Sequence, residues 1–257
     1  MNTRSAKNRF DDFFKEQNFV ALKNDLYNYR LRRSAVTRYL NTQNPRVILE
    51  TGSGIAPVSS HYDRTVFTDL SFQALSVLKH INANGVYVVA DCCNLPFRSS
   101  VFSHVISSEV LEHIPDDRLA LLEMARLVKQ SGQLVITFPH RKCYYSLDDR
   151  YVGHFRRYEI EEMEKHLKSN GFHIEKIEKI LGPLEKLGMI TAVFFYEMLR
   201  KRIGKRNAKA SFFLKHMLQK IFQLANTLFM APVWIEAKIL PASFATVLMI
   251  IGSRKNR

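Results

Sequence analysis

The chain has 257 residues, 46% of them hydrophobic, enough to bury one sizeable core, so one domain with an elaboration is expected and two full domains are not. Its 38 Lys and Arg against 24 Asp and Glu give a formal charge of +14, which points to acidic partners, nucleic acid or an anionic lipid surface, without choosing between them. Three cysteines, two of them adjacent at Cys92 and Cys93, make no disulfide framework, and the opening MNTRSAKNRFDDFFKEQ has no apolar core of signal-peptide length, so a secreted scaffold does not fit and a cytoplasmic location is expected.

Residues 1–44 read as helical throughout: Phe10, Phe13, Phe14, Leu22, Leu26, Tyr29, Tyr39 and Leu40 recur at roughly helical spacing with no internal proline. This segment is a lid or brace before the sheet. It can set Tyr29 or Arg33 over a ligand's carboxylate, or it can be a solvated face over an apolar underside.

From Val47 to Pro57, VILETGSGIAP, an apolar run ends in Glu50 and breaks into Gly52 and Gly54. That pattern predicts a buried parallel strand, a glycine turn on which a ligand can lie close to the main chain, and a helix beginning over Val58 to Tyr62. Next, TVFTDLSFQALSVL predicts a strand closing on Asp69, with Ser71 as N-cap of a helix through Leu78. Asp69 lies 19 residues beyond Glu50, where a carboxylate can accept from both hydroxyls of a ribose. A third strand, Val86 to Ala90, ends in Asp91. A fourth, Val101 to Ser107, runs into Glu109, Glu112 and His113. A helix through LALLEMARLVKQ is then stopped by Gly132 before a fifth strand, QLVITFP. Five alternations of strand and helix argue for a doubly wound sheet that binds ligands at the carboxyl ends of its strands.

These strand ends resemble the class I S-adenosylmethionine-dependent methyltransferases of the small-molecule and lipid type, over about residues 45–180 and the final strand. The motifs that carry the resemblance are Glu50-Thr51-Gly52-Ser53-Gly54, Asp69, Asp91 with Leu95-Pro96-Phe97, and Glu109-Val110-Leu111-Glu112-His113. It implies an α/β, Rossmann-like, doubly wound seven-stranded sheet with an antiparallel edge strand, and S-adenosylmethionine as cofactor. Gly52 and Gly54 would carry the methionine part, with Glu50 accepting from its ammonium. Asp69 would hold the ribose beside Leu70, Asp91 and the Cys92 backbone the adenine, and Ser108 and Glu109 the sulfonium end. Ala56-Pro57 replaces the usual third glycine region, which alters the expected loop.

Because a sulfonium methyl is already electrophilic, transfer needs mainly an in-line acceptor and sometimes a base. GHFRRY, before the Glu161–Glu164 helix, resembles the Gly-His-x-Arg-x-Tyr loop of such enzymes, so His154, with His113, is a candidate for proton transfer, against an anchoring role in the loop. Glu-x-x-Glu-His also resembles metal-using methyltransferases that act on quinone precursors or RNA 3′ ends, with His140 or His154 as a further ligand. Many members carry the motif without an ion, and no metal is assigned.

FHIEKIEKI, residues 172–180, predicts strand six and ATVLMIIGSRK, residues 245–255, strand seven. Residues 181–242 between them form a basic-apolar helical insert, so the expected domain is 45–180 with 243–257. None of the insert's apolar runs reaches the ~18 to 20 residues needed to span a bilayer, being broken by Glu197, Pro232, Glu236 and Lys238. Arg200, Lys201, Arg202, Lys205, Arg206 and Lys209, flanked by Phe194-Phe195 and Phe212-Phe213, predict a cap that rests on an anionic membrane; the alternatives are a packed cap or a homodimer surface. Nucleic acid ranks last as a partner, for want of an RNA-binding module. The expected function is methyl transfer to oxygen or carbon of a small, hydrophobic or lipid-like acceptor, with RNA-directed or metal-assisted O-methylation and a non-catalytic scaffold as alternatives.

Overall fold

The computed structural model describes residues 24–43, 47–82, 84–191 and 211–254. Seven strands, β1 Ile48–Thr51, β2 Thr65–Asp69, β3 Val86–Val89, β4 Phe102–Ser108, β5 Val128–Pro139, β6 Phe172–Leu181 and β7 Val247–Arg254, form one sheet in the order β3-β2-β1-β4-β5-β7-β6. β1 to β5 pair in parallel, and β7 runs antiparallel between β5 and β6. The fold is the expected Rossmann-like α/β sheet with an antiparallel edge pair.

Helices cover both faces. They are α1 Tyr27–Gln43, α2 Phe72–Ile81, α3 Asp117–Leu127, α4 Leu147–Val152, α5 Ile160–Ser169, α6 over residues 183–191 and α7 Ser211–Ile239. Side chains alternate along each strand, so Leu134, Ile136, Leu248 and Ile250 join Met124 of α3 and Met163 of α5 on one face. Val135, Met249 and Ile251 join Val36 and Leu40 of α1 and Val233 of α7 on the other. The inner strands β1, β4, β5 and β7 are therefore mostly dry on both sides and read as near-continuous apolar runs, whereas the edge strands β3 and β6 are partly exposed.

Three expectations are corrected. No helix follows the glycine turn: residues 52–64 are turns and bends, and little chain is left between Pro57 and β2 at Thr65 for one to form. The orphan N–H groups of Val58 and Ser59 are instead taken by the Glu50 carboxylate at 2.8 and 2.9 Å. Residues 90–101 also lack a helix, being folded around the Asp91–Asn94 bridge and Pro96, so the alternation of strand and helix is incomplete. Finally, α3 ends at Leu127 rather than near Gly132. Val128 already pairs with Phe102, and the extra residues form an irregularity in which Ser131 has φ of 58° and an added Cβ on Gly132 would meet the Lys129 carbonyl at 2.9 Å. Ser71 does cap α2, accepting from Ala74 N at 3.2 Å.

The expected lid and insert are described in part. Residues 1–23 lie outside the described residues, as do the basic cluster Arg200 to Lys209 and Phe194-Phe195. What is described packs together: Tyr27 N donates to Asn226 Oδ1 at 3.1 Å, and the Tyr27 ring meets Phe229 edge-on at 5.1 Å. Glu236, read from sequence only as a break in an apolar run, accepts from Leu184 N at 2.9 and 3.1 Å and so caps α6. Among the described residues no helix is long and apolar enough to cross a membrane.

Candidate active site

The carboxyl ends of β1 to β4 stand side by side, because Thr51 is in register with Thr68 of β2 and Ser107 of β4, and Asp69 with Val89 of β3. The chain runs outward from β1 through β2 to β3 and then crosses back to β4 on the other side of β1, the switch point at which sheets of this kind bind ligands. Gly52 and Gly54 turn there at φ of 61° and 55°, a conformation cheap only for glycine. Gly54 N donates to Asp69 Oδ2 at 2.8 Å, and Ser71 N to Asp69 Oδ1 at 2.8 Å, so Asp69 ties the β1 turn to the end of β2. Asp91 orders the next turn by accepting from Cys93 N at 2.8 Å. Burial pushes the Cys92 thiol up, out of reach of nucleophilic use. Glu50, expected at a ligand's ammonium, is buried, with its carboxylate accepting from Val58 N, Ser59 N and the Ser59 hydroxyl of the folded-back loop.

Beyond β4 lies a second group of polar residues. Glu109 has φ of 56°, rare for a residue with a side chain and held by Glu109 N donating to Thr137 O at 3.1 Å and Thr137 Oγ1 to Glu109 Oε1 at 3.2 Å. Ser108 shares a hydrogen bond with Thr137. A short 3₁₀ turn, Leu111–His113, turns Glu112 inward to 0% exposure, where both carboxylate oxygens lack a hydrogen-bond partner. Burial, then the Glu109 charge, raises the Glu112 carboxyl well above its ordinary range. The His154 ring faces it, with Nε2 3.7 Å from Glu112 Oε1, and meets His113 edge-on at 4.6 Å. Glu112, His113 and His154 thus each bring a ligand-type atom within 4.8 Å of the others; His140, buried and bonded to Tyr158 O at 3.0 Å, is not in this group.

α1 does reach over the sheet edge, but with a different residue from the two expected. Tyr29 bonds to Pro57 O at 3.0 Å and Arg33 to Ser60, both on the glycine loop, whereas Arg32 points to Glu109 at 3.8 Å. The underside of the His154 loop is a buried charge cluster. Asp149 accepts from His154 Nδ1 and Arg157 Nε, each at 2.8 Å, and Lys186 of α6 reaches both Asp148 and Asp149. Next to Lys186, burial pushes the Glu185 carboxyl up to about 7, against the pull of Arg157, Lys186 and Arg32. A carboxyl raised in the folded state gives stability that is full below the ordinary glutamate range and lost as pH rises through about 7. Urea denaturation from pH 5 to 8 should therefore show the wild type losing about 3 kcal/mol that Glu185→Gln keeps. Parallel pH profiles would refute this.

Residues 49–136 match the family model described as a methyltransferase domain. The match runs from β1 into β5 and indicates a methyltransferase domain over that stretch. It is 31% identical over 111 residues to a demethylmenaquinone methyltransferase of Streptomyces griseus subsp. griseus, covering 42% of this chain and 48% of that protein. To the demethylmenaquinone methyltransferase of Paenarthrobacter aurescens it is 28% identical over 152 residues, covering 54% and 60%. The chain thus spans about half the length of the curated relatives it matches. Solved structures establish the fold. A SAM-dependent methyltransferase from Thermotoga maritima superimposes with a TM-score of 0.60 at 12% identity, covering 99% of this chain and 100% of that one. Haemonchus contortus phosphoethanolamine N-methyltransferase 2, solved with S-adenosylhomocysteine, gives 0.52 at 20% identity, covering 82% and 49%. Of the expected site residues, the structure puts Glu50, Gly52, Gly54, Asp69, Leu70, Asp91 and Cys92 at the ends of β1 to β3, Ser108 at the end of β4, and Glu109 and His113 with His154 just beyond it. Arg32, Asp148, Asp149, Glu185 and Lys186 were not singled out, since no motif marks them.

Proposed function

We propose that the protein transfers a methyl group from S-adenosylmethionine to oxygen or carbon of a small, hydrophobic acceptor of quinone-like or lipid-like character. The observation that carries this reading is the row of glycine turn and carboxylates along one sheet edge, Gly52, Gly54, Asp69 and Asp91, whose chemistry suits an amino acid, a ribose diol and an adenine amine. Glu50 acts from beneath, holding the loop on which the methionine part lies. Asp69 takes the ribose and Leu70 flanks the adenine, whose amine goes to Asp91 beside the Cys92 backbone. Ser108 and Glu109 line the sulfonium end, where the cofactor supplies an electrophilic methyl. His154, with Nδ1 held by Asp149, keeps Nε2 for an acceptor proton, and His113 packs against it. The relatives' names support a quinone-like acceptor. Binding calorimetry with S-adenosylmethionine and S-adenosylhomocysteine tests the reading, and no heat with either would end it. Asp69→Ala should weaken binding by ~1 to 3 kcal/mol.

The unpartnered Glu112 carboxylate favours a second reading, metal-assisted O-methylation. A buried carboxyl of this kind holds either a proton or a cation, and the mixed oxygen and nitrogen set suits a divalent ion. Metal analysis after dialysis against Mn²⁺ or Zn²⁺ decides it, Glu112→Gln serving as control. Contact with an anionic lipid surface is supported by the outer face of α7, where exposed Leu224, Leu228, Ile235 and Ile239 repeat at helical spacing, with exposed Lys220 and Lys238 near the ends of the row. Vesicle co-sedimentation that is independent of lipid charge and of salt would remove this part.

A further inference from the structure

The buried cluster beneath His154 ties the insert to the acceptor side of the site. α4 is six residues long and closes in Gly153 at φ of 79°, so that His154 N donates back to Asp149 O at 2.8 Å and the His154 ring stands over the Asp149 carboxylate. Asp149 is 1% exposed and every partner it has here is a donor. Oδ1 takes His154 Nδ1 and Arg157 Nε at 2.8 Å; Oδ2 takes Ser146 N at 3.0 Å and Lys186 Nζ at 2.5 Å. An ionised carboxylate can only accept, so the ring nitrogen that meets it must carry the proton. In neutral His154 the proton is then on Nδ1, and the lone pair is on Nε2, which faces Glu112.

Lys186 differs from the other partners in origin. Ser146, His154 and Arg157 belong to the same loop as Asp149, whereas Lys186 comes from α6, beyond β6, and is 5% exposed. It also grips both oxygens of Asp148 at 2.7 and 2.8 Å. A lysine costs desolvation and side-chain entropy to bury, and a need for solubility or a cap would not place one there. On Asp149 it adds a charged donor to Ser146 N at Oδ2, which helps keep Oδ1 for the imidazole and Arg157.

We propose that Lys186 is a positioning residue for the acceptor site: through Asp149 it keeps the His154 proton on Nδ1 and leaves the Nε2 lone pair, on the Glu112 side, free to take an acceptor's proton. This rests on the reading of His154 as the acceptor-side base. It makes α6, the first helix of the insert, a working part of the catalytic loop as well as a cover. An insert that docks only as a cap would have no effect on which ring nitrogen carries the proton.

The test uses the full chain with ¹⁵N-labelled histidine and bound S-adenosylhomocysteine, with the His154 signals assigned through His154→Gln. The wild type should show protonated Nδ1 and unprotonated Nε2. Lys186→Met should populate the Nε2–H tautomer and lower kcat, measured as S-adenosylhomocysteine formed on a lipid extract, by about a hundredfold with cofactor affinity kept. Lys186→Arg should restore both. An unchanged tautomer in Lys186→Met overturns the proposal. If that variant does not fold, Asp149→Asn, which keeps the shape of the side chain, takes its place, and retention of a pure Nδ1–H tautomer there overturns it equally. The tautomer is read without turnover, so a wild type that methylates nothing would overturn the methyl-transfer reading and not the placement of the proton.

Discussion

Asp149→Ala is expected to cost about 3 to 5 kcal/mol of folding stability, the loss typical of breaking a buried ion pair from one side. The variant would leave Arg157, 5% exposed, with its Nε unpaired, Lys186 with Asp148 alone, and His154 and Ser146 N without an acceptor. Asp148 cannot take over, because Lys186 and the Ser146 hydroxyl already occupy it. The pH dependence has a definite sign. Burial alone would raise the Asp149 carboxyl, but the His154 hydrogen bond and the charges of Arg157 and Lys186 more than reverse this and hold it well below the ordinary range. A carboxyl depressed in the folded state gives stability that is present above the ordinary aspartate pKa, about 3.9, and lost as pH falls below it. Urea denaturation of wild type and variant should thus differ by a constant amount from pH 7 down to about 5, and the gap should begin to narrow only below about pH 4. A gap below about 1 kcal/mol at pH 7 would mean that the cluster is not held as the structure has it.

How much of this was legible in the sequence depends on whether the signal is local. Gly52, Gly54, Asp69 and Asp91 each sit at the end of a short apolar strand, and strand end plus turn residue is a pattern confined to a few neighbours. Ser71 as a cap is local in the same way. Asp149 and Lys186 are 37 positions apart and meet only because β6 returns the chain beside the β5 loop, so no window in the sequence contains both. Arg32 and Arg33 are adjacent on a helix, and about 100° of rotation decides which one faces the sheet edge; a basic run cannot set that angle. The missing helix after Gly54 failed for a physical reason: the motif predicts where a helix should start, while the short distance to β2 leaves little room for one. Glu50 then supplies to Val58 and Ser59 the acceptors that a helix cap would otherwise provide.

The β1 turn has the least tolerance for change. Gly52→Ala should destabilise the fold by roughly 2 to 4 kcal/mol, part from placing a side chain at positive φ and part from overpacking. At φ of 61°, an added Cβ would lie 2.6 and 2.7 Å from the two Val110 methyl carbons. Val110 is buried just after β4, wedged between the turn and the core that contains Leu111 and Tyr158, and cannot retreat without moving the Glu109 strand end. The consequence for function exceeds that for stability, because the same displacement shifts the backbone on which the methionine part of the cofactor is proposed to lie. S-adenosylhomocysteine affinity should fall by about tenfold or more, with a melting temperature lower by roughly 5 to 15 °C. The two contributions can be separated. Val110→Ala should cost stability by itself yet relieve the clash, so the double variant should be more stable than the sum of the two single losses by about 1 kcal/mol or more. The φ cost remains in both. Calorimetry and thermal melts of the four proteins give the cycle, and strict additivity would show that Gly52 is required for its backbone freedom alone, with no part played by the contact with Val110.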